Sequence, residues 1–400
     1  MVGPIAFSAG AFFAVLTGLL GILVTVLLTE ILAATLRSHR KWSPRPWNCP
    51  RPAIAVLVPA HDEESGIART LGDVRTQLAA GDTLLVVADN CSDRTAAVAR
   101  AAGAEVAERR DGTRRGKGYA LDFGMQCLSA APPEVVIIVD ADCRLAPGAI
   151  DELARAAAAT NRPVQALYLM TAPEPSTANL KIAQFAWRVK NWVRPLGLGA
   201  LNLPCQLMGT GMAFTWPVLR SARLASGHIV EDLKLGIDLA LAGYPPLFCP
   251  SAIVTSEFPS SIAGTRRQRE RWEHGHLSMS LGMVPRLIAA ALRRLDRALL
   301  ALALDLAVPP LALLGFMIVA TLVADGVLAL LGNFAALWAG MADFAAFIVA
   351  VVVAWTRFGR DLVGARTLAA AAGFLWAKLP IYRRFLVRGP VAQWIRTDRK

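Results

Sequence analysis

Between Ile5 and Leu36 the chain is an almost unbroken run of Ala, Val, Leu, Phe and Gly. That run is longer than the roughly 20 residues a helix needs to cross a hydrocarbon core of about 30 Å. It predicts a spanning helix rather than a cleaved leader, because no basic stretch precedes it and Arg37, Arg40 and Lys41 follow it. Those charges place the continuation on the cytoplasmic side. A second apolar region, Leu299 to Trp355, contains no Lys or Arg and is bracketed by Arg293, Arg294 and Arg297 before it and Arg357 and Arg360 after it. It predicts a hairpin of two crossings turning between Asp325 and Asp343, with both feet in the cytoplasm. Leu281 to Leu300 puts apolar residues opposite Arg286, Arg293, Arg294 and Arg297, as a helix lying in the interface would. Thr367 to Tyr382 is apolar but short, and reads as a further interfacial helix or a third crossing of this carboxyl-terminal part.

Composition agrees: 55% hydrophobic residues, 18% charged and a mean hydropathy of +0.45 over 400 residues are too apolar for an ordinary soluble enzyme. The net charge of +12 crowds at Arg37 to Arg51, Arg286 to Arg297 and Arg383 to Lys400, where anionic membrane lipids are the fitting partner and nucleic acid is not. Six cysteines show no paired or ligand-like spacing and read as reduced.

The block from Pro52 to Met279 has another texture. Short β-branched runs at Ile54 to Val58, Thr83 to Ala88 and Val135 to Val139 alternate with helix-like runs at Glu63 to Leu78, Arg94 to Ala102, Tyr119 to Leu128 and Pro147 to Ala159. Alternation of this kind predicts an α/β domain with a mostly parallel sheet, whose ligands gather beyond the carboxyl ends of the strands. This divides the chain into 1–51 (helix and basic linker), 52–279 (α/β domain), 280–298 (interfacial helix), 299–356 (hairpin) and 357–400 (helix and basic tail).

Three strand ends carry acids: Asp62, Glu63 and Glu64 after the first strand, Asp89 and Asp93 after the second, Asp140 and Asp142 after the third. Asp62, Ser92 or Asp93 alone could serve as a helix cap. Two carboxylates one residue apart at the end of an apolar strand instead repel each other unless a cation or hydrogen bonds compensate them. A hard divalent ion such as Mg2+ or Mn2+, completed by substrate phosphates, fits that pair.

In order along the chain come Pro-Ala-His-Asp-Glu-Glu, Ala-Asp-Asn-Cys-Ser-Asp-Arg-Thr, Gly116-Lys117-Gly118, Asp140-Ala141-Asp142, Gly209-Thr210-Gly211, Val230-Glu231-Asp232 and Gln268-Arg269-Glu270-Arg271-Trp272. This set resembles the family 2 inverting glycosyltransferases of the GT-A fold. The nearest likeness is to the membrane-bound branch of cellulose, hyaluronan and poly-N-acetylglucosamine synthases and ceramide glucosyltransferases. The resemblance implies a nucleotide-sugar donor, UDP-linked sugars first, and a glycan or lipid acceptor, with export or polymerisation proteins as further partners and a multi-pass plasma-membrane location. It implies that Asp62, Glu64, Asp89, Lys117 and Asp140 bind the nucleotide sugar, that Asp142 holds the metal, and that Asp232 is the catalytic base. Glu231, Gln268, Arg271 and Trp272 would line the acceptor and diphosphate side; Val230 stands where the family usually has Thr.

The residues leave other readings open. Asp232 and Glu231 would also suit the start of a helix over Leu233 to Leu241, Lys117 a solvated loop, and Arg271 with Trp272 a membrane interface. His274 and His276 lack companion ligands and read as acceptor-side or structural rather than zinc-binding. Asp305 is a costly residue in an apolar segment and flags function, unless a helical neighbour satisfies it. A non-catalytic membrane scaffold is the rival class, and the presence of every acid disfavours it.

Overall fold

The computed structural model describes residues 3–38, 47, 49–173, 176–259, 262–330, 332, 334–369, 373 and 378–389. Much of the two basic stretches after the first helix and at the carboxyl terminus lies outside them.

The α/β block is built on one eight-stranded sheet in the order β3-β2-β1-β4-β7-β6-β8-β5. Strands β1 (Ile54–Ala60), β2 (Thr83–Asp89), β3 (Glu105–Arg109) and β4 (Val135–Ile138) run parallel. β7 (Met212–Thr215) pairs antiparallel with both β4 and β6 (Val164–Thr171), and β8 (Leu247–Glu257) runs parallel to β6. The two-residue β5 (Arg144–Leu145) closes the far edge. Every residue of β4 is buried, as continuous apolar runs in a doubly covered sheet must be.

Between these strands lie α2 (Ile67–Arg75), α3 (Thr95–Ala101), α4 (Lys117–Leu128) and α5 (Ala149–Thr160). α2 begins four residues later than the apolar pattern suggests. The backbone N–H groups of Glu63 and Glu64 are bonded to Thr95 and Asp93, which holds 62–64 as a loop. After β6 come α6 (Ala178–Arg188), a wide π turn (Val189–Val193) and α7 (Arg194–Ala200); α8 (Trp216–Arg220) and α9 (Glu231–Leu241) flank the turn after β7.

Among the described residues three helices are long and apolar enough to cross a membrane: α1 (Gly3–Ser38) over residues 10–36, and, farther along the chain, Leu311–Ala329 and Phe334–Phe358. The last two are α12 and α13 below, and they turn where the hairpin was expected.

Two expectations need correction. The change to a separate interfacial helix at 280 does not occur: α10 (Ile262–Arg294) runs unbroken across it, and the chain breaks only at Leu295, with φ of 50°. Its residues Met279, Leu287, Ala290 and Ala291 pack with Leu299, Leu302, Ala303 and Leu306 of α11 (Arg297–Ala307) and with α9, so this apolar stripe is used inside the protein. The apolar segment from Leu299 also does not enter a crossing directly. Asp296 caps α11, Pro309 and Pro310 end it, and α12 (Leu311–Ala329) starts afresh before α13 (Phe334–Phe358). Of Thr367 to Tyr382, residues 370–372 and 374–377 lie outside the described set. The flanking α14 (Ala365–Ala369) and α15 (Leu379–Arg388) are helical, and α15 is tied to α10 by the pairs Arg384–Glu270, 2.8 Å, and, just before it, Lys378–Glu273, 2.6 Å.

Candidate active site

A cavity of about 470 Å³ opens beyond the carboxyl ends of β1, β2 and β4, and α6, α9, α10 and α11 complete its walls. Of the nominated residues, Asp89, Lys117, Asp140, Asp142, Glu231, Asp232, Gln268, Arg271 and Trp272 all line it.

Asp89, at the end of β2, accepts from Arg109 at 2.6 Å and from Asn90 at 3.0 Å, and its carbonyl accepts from His61 Nδ1 at 2.7 Å. Asp62 and Glu64 are not among the lining residues. Asp62, in a left-handed conformation with φ of 54°, accepts from the Ser92 and Asp93 backbone N–H groups, and Glu64 from that of Arg94. These two carboxylates brace the loops after β1 and β2 against each other and lie outside the cavity lining, whereas the resemblance put them against the nucleotide sugar.

At the end of β4, Asp140, Asp142 and the thiol of Cys143 offer ligand atoms within 4.8 Å of one another. Burial pushes the Cys143 thiol up, so it stays protonated, and its Sγ donates to Asp142 at 3.5 Å. The oxygen donors left to a cation are carboxylates, a set that suits Mg2+ or Mn2+.

Lys117 begins α4 and reaches across to this pair. Its Nζ is 2.5 Å from Asp140 and 3.9 Å from Glu231, and donates to the Gly209 carbonyl at 2.6 Å. Burial alone would push the ammonium down; Asp140 and Glu231 overbalance it and raise its pKa. Gly209 has φ of 96°, and a Cβ there would stand 3.2 Å from Asp232 Oδ2, so conformation and space both call for glycine.

Glu231 and Asp232 occupy the first turn of α9, whose N-cap position, Val230, makes no side-chain cap bond. Neither acid caps the helix. Both carboxyls are raised, chiefly by burial, against the pull of Lys117. A carboxylate held above its ordinary range beside a cleft is what proton abstraction from a hydroxyl requires.

On the opposite wall α10 presents Gln268, Arg271 and Trp272 at helical spacing. Arg271 has no hydrogen bond or ion pair among the described residues, and burial lowers its pKa. Trp272 packs on Trp187 with ring centroids 4.7 Å apart. His274 points away, to the Ile381 carbonyl at 2.9 Å, and is structural, while His276 lines the cleft.

The sequence reading missed Trp187, Lys190, Asn191 and Arg194, which line the floor. No motif marks them; their i, i+3, i+4, i+7 spacing was the available signal. Asp305 does find a helical neighbour: Arg194 bridges it at 2.5 Å and Glu30 of α1 at 2.6 Å, and Gln206 donates to its other oxygen at 2.5 Å.

Residues 50–275 match the profile described as Glycosyltransferase like family 2, more than half of the chain. The chain belongs to glycosyltransferase family 2. A probable glycosyltransferase, YdaM of Bacillus subtilis (strain 168), is 26% identical over 247 residues, 56% of this chain and 55% of that one, so the glycosyltransferase spans about half the length of this curated relative. Among solved structures, the mannosyltransferase PcManGT from Pyrobaculum calidifontis with GDP-Man and Mn2+ is 18% identical, with a TM-score of 0.47 and coverage of 92% and 99%. Glucosyl-3-phosphoglycerate synthase from Mycobacterium tuberculosis with Mn2+, UDP and phosphoglyceric acid is 22% identical, with a TM-score of 0.38 and coverage of 56% and 78%.

Proposed function

We propose that this family 2 glycosyltransferase is an inverting, membrane-embedded enzyme of the branch that resembles the polysaccharide synthases and ceramide glucosyltransferases. It moves a sugar from a nucleoside diphosphate donor, UDP-linked sugars first, to a glycan or lipid acceptor at the cytoplasmic face of the plasma membrane, in assembly of surface polysaccharide. Residues 52–279 form the catalytic domain, and the helices at either end hold it to the bilayer.

The observation that carries this reading is that Asp232 shares one cavity with Asp140 and Asp142, with Lys117 between the two sets. Asp142 and Asp140 are the residues that would hold Mg2+ or Mn2+, which when bound neutralises a diphosphate leaving group. Asp89 and Asn90 face the nucleoside, and Arg271 supplies a second cation for phosphate oxygens. Asp232 takes the proton of the acceptor hydroxyl as that oxygen attacks the anomeric carbon from the side opposite the diphosphate, which inverts the centre. Trp272 and Trp187 offer a face for a sugar ring.

A panel of UDP- and GDP-sugars with the purified, detergent-solubilised protein and Mn2+ tests this, with the anomeric configuration of the product read by NMR. Transfer with inversion, lost in Asp232→Asn, is expected. Retention of configuration, or full activity in Asp232→Asn, would overturn it. A single transfer is favoured over polymerisation because the three helices suited to crossing a membrane among the described residues are few to enclose a growing chain; a ladder of products by mass spectrometry would reverse that preference.

A further inference from the structure

The floor of the cleft carries polar groups that neither the metal side nor the proposed base uses. Asn191 is 2% exposed and its Nδ2 has no partner among the described residues; His276 is 4% exposed and its Nδ1 has none either. Buried donors and acceptors are rarely left unsatisfied, and these two belong to residues that line the cleft. His276 Nε2 lies 3.2 Å from the Val308 carbonyl, so that nitrogen carries the proton and Nδ1 offers a lone pair. Burial pushes the imidazole down to about 3, which keeps it neutral.

Lys190 stands in the same floor, one residue before Asn191, and makes no ion pair among the described residues. The neighbouring cation, Arg194, is occupied by Glu30 and Asp305. Lys190 and Asn191 sit in the π turn between α6 and α7, a helix irregularity that recurs at functional sites. This wall joins the apolar end of the molecule: α7 packs on α1 so closely that a Cβ on Gly197 would stand 1.9 Å from the Glu30 carbonyl oxygen. A charged donor, a neutral donor and a hydroxyl acceptor on residues that line one cleft match a phosphate ester that has a hydroxyl beside it.

We propose that Lys190, Asn191 and His276 form the acceptor subsite, and that it recognises a phosphorylated polyol head group. Lys190 and Asn191 donate to phosphate oxygens, and His276 Nδ1 accepts from a hydroxyl and turns the head group toward Asp232. This rests on the transferase reading of the cleft. The phosphate can arrive on a membrane lipid or on a soluble polyol phosphate.

Calorimetric titration of the full-length protein in a neutral detergent tests it with three probes: dihexanoylphosphatidylglycerol, dihexanoylglycerol and glycerol 1-phosphate. At least tenfold tighter binding of the phosphorylated lipid than of the neutral one is expected, abolished in Lys190→Gln and retained in Lys190→Arg. Glycerol 1-phosphate binding as tightly as the lipid assigns the phosphate to a soluble acceptor; weaker binding assigns it to the membrane. Equal affinity for the phosphorylated and neutral lipids, or unchanged affinity in Lys190→Gln, overturns the proposal. UDP binding with Mn2+ in the same preparation reports on the donor reading, so failure of either is seen apart from the other.

Discussion

Lys117 Nζ lies 2.5 Å from Asp140 Oδ1, which ties the start of α4 to the acid pair at the end of β4. The same ammonium lowers the pKa of both Glu231 and Asp232. Replacing it in Lys117→Met removes the largest lowering influence on both carboxyls, which raises them further. The acid limb of the kcat/KM profile is expected to move to higher pH than in the wild type; an unmoved limb would show that neither acid is the titrating group.

Asp142→Ala removes one carboxylate from the cation site. Turnover is expected to fall at least about a hundredfold, the scale of losing a positioned electrostatic group. Mn2+ binding, followed by calorimetry with UDP present, should weaken in parallel. Tight Mn2+ binding in the variant would place the ion elsewhere.

Asp232→Asn should cost about a hundredfold to ten-thousandfold in turnover, the range of a general base. It should also change stability. A carboxyl raised in the folded state binds more protons folded than unfolded, so wild-type stability falls as pH rises from the ordinary carboxylate range through the raised value. The amide has no such loss. Melting temperatures of the two proteins should therefore diverge with rising pH, the variant becoming the more stable.

Arg194→Met strands two carboxylates, Glu30 and Asp305, in the interior. Breaking one side of a buried ion cluster costs about 3–5 kcal/mol. A lowered melting temperature is expected, with most of it restored when Glu30→Gln and Asp305→Asn are added. No restoration would mean that Arg194 acts by packing alone.

The acids on the proposed metal and base side of this cleft were legible in the sequence because those residues stand where elements begin or end. Asp140 and Asp142 close an apolar strand, and Glu231 and Asp232 open a helix, so their types clash with their surroundings in one dimension. Asp62 and Glu64 looked the same at that level. Only the facing loop around Ser92 and Arg94 shows that their oxygens are already engaged. Lys190 and Asn191 were invisible for the opposite reason: each sits inside a helical turn where a polar residue ordinarily faces water, and their sharing a cleft with His276, which reads in sequence as acceptor-side or structural, depends on how α6, the π turn and α10 meet. The end of α10 was misplaced because an amphipathic stripe reads alike whether lipid or α9 and α11 cover it.

A Cβ on Gly197 would stand 1.9 Å from the Glu30 carbonyl oxygen, so α1 is packed into the α/β block and is not a leash. A fragment starting at Pro52 would lose Glu30, one of the two carboxylate partners of Arg194, and bare the greasy flank of α7, and would be expected to clump when expressed. Under the proposed anchoring, any tilting of the α/β block would have to drag the first helix along, so the height of the cleft above the lipid would be built into the molecule as a fixed dimension.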